Sequence, residues 1–372
     1  MHFPLIYQQI SIHFFKINCI LTNIKNGCIV DIADIKLYTP NFKELNPLQD
    51  NNIISVYECQ VPPEQADRLE DFVGGMTWRD RKVVNEYLAL AFRSFDKRKA
   101  ERLRDCSTFL QFKVYSNGTK KLNSMNSCHV RLCPICSWRR SLKTYANIRK
   151  VTEHLHEKEQ RQFVFVTLTV ENCKGEDLSR TLDVMFQGFN RFNQLKEFKK
   201  AFTGFYRALE ITRNNNPLSK NYGTYHPHFH CVFSVKKSYF TSRYYLSQQR
   251  IAELWQQSLR LDYFPVVDVR KVKGSLAKSC AEVAKYSVKS NDIIIPDDWN
   301  ITCEVAEMLD RALERRRLIS YGGELAKVRR QLKLEDEETG DLVHIEDDAP
   351  TEEDYKVVNY FWFSGVRDYY GI

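Results

Sequence analysis

Three groups of side chains have the types and spacing to do chemistry. The first is Tyr225-His226-Pro227-His228-Phe229-His230-Cys231-Val232-Phe233. Alternate residues of a β-strand share a face, so His228 and His230 point together while Phe229 points to the buried side. Two imidazoles on one face can hold a divalent cation, but a third ligand must then come from a neighbouring strand. Glu210 is the best candidate. Alternation across Gly204 to Thr212 groups Tyr206, Ala208, Glu210 and Thr212 on one face and Phe205, Leu209 and Ile211 on the other. One carboxylate with two imidazoles and open positions suits Mg²⁺ or Mn²⁺, held in part by water and substrate phosphate. Taken alone, His-x-His is a weak pattern, and the plainer reading of Glu210 is a surface charge paired with a lysine. Pro227 cannot donate to a sheet ladder, which places it at the start of the strand and His226 at the strand mouth.

The second group is Cys128, Cys133 and Cys136, with Cys106 lying 22 positions before Cys128. Four thiolates in a tetrahedron form the usual structural zinc site, and the Cys133-x2-Cys136 end is its most recognisable part. The outer spacing is not one of the common zinc-finger patterns. His129 competes with Cys106 or Cys128 as a ligand. The bland alternative, buried free thiols, is disfavoured by Pro134 in a tight knuckle and by the following Trp138-Arg139-Arg140. A metal here would hold the basic run Arg139, Arg140, Lys143, Arg149 and Lys150 as a rigid face.

The third group lies in Cys280-Ala281-Glu282-Val283-Ala284-Lys285-Tyr286-Ser287-Val288-Lys289, a stretch of helix formers with no Gly or Pro. On a helix Glu282 and Tyr286 are stacked neighbours, with Lys289 one turn further on. A phenol is a poor nucleophile until a base or a nearby cation favours the phenolate, and Glu282 and Lys289 are placed to supply that help. By itself Tyr286 reads more simply as an amphipathic core residue.

These groups need a frame to hold them. Residues 108–115, 163–170, 202–212 and the histidine strand read as strands, and Ser116-Asn117-Gly118-Thr119 is a hairpin turn. Helical spacing marks 79–104, 139–156, 178–200, 245–259 and 275–290. After Pro296 the chain reads as helical to about Leu334, interrupted at Tyr321-Gly322-Gly323. This order predicts an α+β protein with a central, largely antiparallel sheet and flanking helices. The expected divisions are an N-terminal extension (1–75) without nameable chemistry, a basic helix with the Cys cluster (76–160), the histidine–tyrosine domain (161–292), a helical C-terminal region (293–334) and an acidic tail with an apolar end (335–372). The tail reads as mobile, although Tyr360-Phe361-Trp362-Phe363 is too apolar to stay wholly exposed.

The 372 residues carry a formal charge of +8, which understates how basic the body is. Glu335 to Asp354 hold 11 acidic residues and no Lys or Arg, so the remainder has 55 basic against 36 acidic residues, a net of +19. Such an excess suits a polyanionic partner. The 11 cysteines are not distributed as a secreted disulfide scaffold. With no signal-peptide pattern and no apolar run of ~20 residues, the expectation is a cytoplasmic protein without a membrane partner.

With these constellations in hand, the chain resembles the plasmid rolling-circle replication initiators of the Rep_1 type, a branch of the HUH endonucleases. The residues that carry the resemblance are Phe165-Val166-Thr167-Leu168-Thr169, His226-Pro227-His228-Phe229-His230 and Glu282-Val283-Ala284-Lys285-Tyr286-Ser287-Val288-Lys289. The flanking segments Arg131-Leu132-Cys133-Pro134-Ile135-Cys136-Ser137-Trp138-Arg139-Arg140 and Arg317-Leu318-Ile319-Ser320-Tyr321-Gly322-Gly323 match as well. The resemblance runs from about Arg102 to His344. It implies an HUH-type nicking domain in which His228, His230 and Glu210 bind Mg²⁺ or Mn²⁺ and Tyr286 attacks one strand of the plasmid origin. The attack leaves a 5′-phosphotyrosine and a 3′-OH primer, and Glu282 activates water for a second cleavage. The partners it implies are the double-strand origin, its single-stranded nick region, host helicase and polymerase, and a second copy of the chain on DNA. Two rivals compete with it: a mobilisation relaxase or single-strand transposase of the same chemistry, and a non-catalytic, zinc-stabilised DNA-binding repressor.

Overall fold

Hydrophobic periodicity and capping chemistry account for most element boundaries in the computed structural model, which describes residues 62, 65–71, 75–272, 280–281, 283–284, 287–295, 298–345 and 354–371. Helix α1 (Trp78–Phe92) starts at a capping box in which Thr77 accepts from the Asp80 N–H and Asp80 accepts from the Thr77 N–H. Asp96 caps α2 (Lys97–Asp105), so the single helix expected over 79–104 is two. The hairpin β1 (Phe109–Tyr115) and β2 (Lys120–Met125) follows, turning at Gly118 with φ +82°. Helix α3 (Pro134–Glu159) has Cys133 as its N-cap and Pro134 in its first turn.

The order continues β3 (Gln162–Thr169), α4 (Gly175–Phe192), α5 (Lys196–Ala201), β4 (Gly204–Arg213), β5 (Tyr225–Val235), α6 (Gln248–Leu259) and β6 (Val267–Lys271). It ends with the short α7 (Ser290–Ile293), α8 (Trp299–Leu313), β7 (Ile319–Gly322), α9 (Gly323–Gln331), β8 (Tyr355–Phe363) and β9 (Asp368–Gly371). All described residues fall in one compact unit, Ile54–Ile372. Among them no helix is long and apolar enough to cross a membrane.

The larger sheet has the order β6-β3-β5-β4-β7 with every pairing antiparallel, so the histidine strand is its centre. One face is apolar apart from the buried Arg207, whose guanidinium lies over the Phe186 and Phe229 rings at 4.5 and 4.7 Å. Phe229 is fully buried, and its ring meets Phe186, Phe189 and Trp255 at centroid distances of 5.3, 5.7 and 6.2 Å, all edge-on. Burying one such aromatic side chain contributes about 3 kcal/mol, which fixes the register of β5 and therefore which residues face the other way. On that other face Tyr206 and Val232 lie under Ile148 and Val151 of α3 and Leu325 and Val328 of α9.

Pro227 sits inside β5, opposite Ile211. Leu209 and Ile211 direct their N–H groups away from β5, to Leu318 O and Ser287 O at 3.0 and 2.7 Å. Pro227 therefore turns its missing donor toward β3, whose pairing with β5 ends at Thr169 opposite His228. The absent N–H falls beyond that ladder, which is how a central strand accommodates a proline.

The smaller sheet, β2-β1-β8-β9, joins the two ends of the described chain. The acidic segment does not hang free at either end. Residues 354–371 supply β8 and β9, pairing Phe109 with Phe361 and Tyr115 with Tyr355, and Tyr369 is fully buried with its hydroxyl donating to Ser107 O at 2.7 Å. Residues 335–345 lie along α3, where Arg139 donates to the carbonyls of Leu342 and Val343, both at 2.8 Å. The interruption at Tyr321-Gly322-Gly323 is strand β7 and the start of α9, because Tyr206 and Ala208 of β4 offer an open edge to pair with. Residues 1–61, most of the expected N-terminal extension, lie outside the described residues.

Candidate metal and DNA-nicking site

The antiparallel register sets Glu210 directly opposite His228, and Ala208 opposite His230. The three side chains converge: Glu210 Oε2 is 2.7 Å from His230 Nε2 and 3.3 Å from His228 Nε2, and the two imidazole nitrogens are 3.2 Å apart. Glu210 is 4% exposed, too deep for the plain surface charge that is its simpler reading. Burial pushes its carboxyl up, but the hydrogen bonds and charge of His228 and His230 outweigh this and hold it well below the usual carboxylate range.

Outer contacts orient the rings. His228 Nδ1–H donates to the His226 carbonyl at 3.1 Å, which leaves Nε2 facing the cluster, and His230 Nδ1 lies 3.5 Å from Thr167 Oγ1. His226 is itself half-buried, its ring 5.4 Å from that of His228, and burial followed by the His228 charge lowers its pKa. Three donors about 3 Å apart on one side of a point match the facial arrangement that small oxygen- and nitrogen-preferring dications accept. These three residues can hold a metal ion.

Lys289 joins the same site by a route other than the expected one. Its ammonium is 3.3 Å from Glu210 Oε1, but its backbone is extended (φ −84°, ψ 147°), at the N-terminus of α7, rather than one turn along a helix. The cause is the edge of β4, where the Ile211 N–H captures the Ser287 carbonyl and breaks the helix expected over 275–290. Cys280, Ala281 and Val283 in that stretch are helical. Glu282 and Tyr286 lie outside the described residues.

The four cysteines also converge. Cys106 ends α2, Cys128 follows β2, Cys133 caps α3 and Cys136 lies in its first turn. Cys136 Sγ is 3.7 Å from both Cys106 and Cys128, and Cys133 Sγ is 3.7 Å from Cys106. A tetrahedron with sulfurs about 2.3 Å from its centre has edges of about 3.8 Å, so the cage has the dimension of a metal–thiolate site. His129, the expected competitor, is not in the cage. It is exposed, takes φ +53° at the bend after Cys128 and lies 2.8 Å from Ser127 Oγ.

Burial pushes the Cys133 thiol up, and the contact with Cys128 does most to raise Cys106. Hydrogen bonds from the other three thiols hold Cys136 down. Beneath the cage is a residue without a sequence signal, Lys82. It is fully buried, its ammonium 2.8 Å from the Cys106 carbonyl. Burial lowers its pKa against the opposing pull of Glu86, Cys106 and Cys133.

Comparison with known proteins now places the chain. The replication-protein family model matches residues 119–370, most of the described molecule. The chain belongs to this Rep family. It is similar to a Rep protein of Bacillus amyloliquefaciens, with 37% identity over 324 residues that cover 78% of this chain and 93% of the relative. It is also similar to one of Lactiplantibacillus plantarum, with 39% identity over 290 residues that cover 74% and 88%. No solved structure matches. The matched span of this Rep-family chain contains the metal triad, three of the four cysteines and the C-terminal hairpin; only Cys106 precedes it.

Proposed function

We propose that this chain is a plasmid replication initiator that nicks one strand of the double-strand origin and later rejoins or releases it. The observation that carries the reading is the convergence of Glu210, His228 and His230 on two neighbouring strands of the central sheet in a member of a replication-protein family. A divalent ion held there, Mg²⁺ or Mn²⁺, would polarise a scissile phosphate and orient it in line. The protein groups do the rest. Tyr286 supplies the nucleophile: its phenol gives up a proton to solvent, the oxygen bonds to phosphorus as the bond to the 3′-oxygen breaks, that oxygen takes a proton from water to become the hydroxyl that primes synthesis, and the 5′-phosphate remains on the tyrosine. Ser287, next in the chain, is hydrogen-bonded to Ile211, the neighbour of Glu210, which supports placing the tyrosine's segment at this site.

Lys289, about half-exposed beside Glu210, brings positive charge to the developing phosphorane and to the phenolate. Glu282 is assigned the second half of the cycle, taking a proton from water so that a second cleavage needs no second tyrosine. The four cysteines would hold a structural Zn²⁺ that ties α2, the β2 exit and α3 together; of the basic residues at the start of α3, Arg139 and Lys143 are buried against residues 335–343. DNA is the partner, consistent with the +19 body.

The experiment is incubation with a supercoiled plasmid carrying the cognate origin, with Mn²⁺ or Mg²⁺. Open circles bearing covalently attached protein are expected, with loss of both on Tyr286→Phe and retention of DNA binding. Undiminished cleavage by that variant would remove Tyr286 from the nucleophile's role.

A further inference from the structure

Beside the metal triad lies an open cleft of about 210 Å³, lined by Ala208 and Leu209 of β4, Ser287, Ile319, and Arg131 and Arg140 from the cysteine segment. A carboxylate enters it from the acidic stretch that follows α9. Glu338 Oε1 accepts the N–H groups of Leu318 and Ile319 at 2.7 and 3.0 Å, and its Oε2 is 3.2 Å from Arg131 Nη2. Two consecutive backbone donors and a guanidinium closing on one anionic group form the arrangement that proteins use for phosphate.

Its placement is what gives the arrangement meaning. Ile319 pairs with Ala208, and Ala208 pairs with His230. The Ile319 backbone is therefore two strand spacings, about 10 Å, from that of His230 in the metal triad. That is the reach of roughly one to three nucleotides along a strand whose phosphate would sit on the triad. Arg131 is held in place by the cysteine knuckle, its carbonyl accepting from Ser137 Oγ at 2.7 Å just beyond Cys136.

The rest of the acidic segment behaves in the same way. Glu335 pairs with Lys143, Asp336 with Arg317, and Glu337 with Arg329 at 3.0 Å. Four successive carboxylates thus face four cations of a body whose excess charge suits a polyanion. Arg140, in the same cleft, has no carboxylate partner among the described residues.

We infer that Arg131 and the Leu318 and Ile319 amides form a phosphate subsite for the DNA strand, and that Glu338 occupies it as an internal stand-in for a phosphodiester. The strand enters by displacing the 335–341 segment, so this segment sets the threshold for DNA binding. The inference rests on the nicking reading for its substrate, but its test does not depend on cleavage.

The test measures binding of a fluorescein-labelled oligothymidylate of about 15 nucleotides without added Mg²⁺ or Mn²⁺, as a function of salt. Glu338→Gln keeps the shape and removes the competing charge, so affinity should rise roughly 5- to 10-fold at low salt. The slope of log affinity against log salt should steepen by about 0.7, one more phosphate contact. Adding Arg131→Gln to that variant should reverse both gains. A second measurement needs no substitution: deuterium uptake across 335–345 in the wild-type chain should increase when the oligonucleotide is added. A folded Glu338→Gln variant with unchanged or weaker affinity, or unchanged uptake at saturating oligonucleotide, overturns the assignment. A chain that shows these binding effects yet never nicks an origin would remove the nicking reading and leave the subsite standing.

Discussion

Glu210→Gln is the most direct perturbation of the metal site. The substitution conserves volume at a position that is 4% exposed, and it removes the one carboxylate of the triad. Loss of a group that only orients a metal ligand costs 10- to 100-fold in affinity. Loss of a direct, charged ligand should reach at least the top of that range, about 100-fold or about 2.7 kcal/mol. The fold should tolerate the change. The pair with Lys289 is half-exposed on the lysine side and contributes less than about 1 kcal/mol, and a neutral amide is easier to bury than a carboxylate.

The assay is origin nicking across a series of Mn²⁺ concentrations, with calorimetric titration of the metal alone. The midpoint should move up about 100-fold in both. An unchanged midpoint in a variant of unchanged melting temperature would refute the assignment of Glu210 as a ligand. Acid titration without added Mg²⁺ or Mn²⁺ gives an independent check. Because the native carboxyl is held below its ordinary value, its contribution is fully present above the unfolded pKa of about 4.3 and fades as pH falls toward the native value. The stability difference between wild type and Glu210→Gln should therefore be constant near pH 5 and shrink only below about pH 4.

Two further predictions concern the parts that hold the site. Cys133→Ser removes one ligand of the cage, so zinc content per chain should fall below the wild-type value with a loss of several kcal/mol of stability; elemental analysis showing unchanged zinc would contradict the site. Trp362→Ala empties a buried position whose ring meets that of Tyr369 edge-on at 4.9 Å and whose N–H donates to Glu86 at 2.6 Å. It should cost about 3–5 kcal/mol by thermal unfolding, whereas a dispensable tail would cost nothing measurable.

Much of the site was legible in the residue order, for identifiable physical reasons. Period-two alternation is a local property, so His228 with His230, and Glu210 with Ala208, could be assigned to faces before any pairing was known. Thiol spacing within Cys133-x2-Cys136 is set by one helical turn, so that half of the cage was readable too. Across longer separations the same reasoning lost its hold. His129 was as good a ligand as Cys106 by spacing alone, and only the bend at φ +53° turns it outward. Lys289 was expected one helical turn beyond Tyr286, but its backbone is extended, because the edge hydrogen bond from Ile211 to Ser287 is a tertiary event that no local propensity records.

What the sequence by itself determined is therefore which side chains are on offer: two imidazoles and a carboxylate able to hold a metal ion, four thiols for a cage, and a basic body. Each follows from residue type and short-range geometry. The tertiary structure alone decided how the C-terminal segment is used. Its acids resemble a solvated run by composition. They fold back because Lys143, Arg317, Arg329 and Arg131 lie within reach along α3, β7 and α9, and because β1 leaves an edge that Tyr355–Phe363 can pair with. The pairs with Arg317 and Arg329 span only 19 and 8 positions, but the contacts with Lys143, Arg139 and Ser107 join residues 192, 204 and 262 positions apart. Their energy depends on where the rest of the chain has already placed its partners.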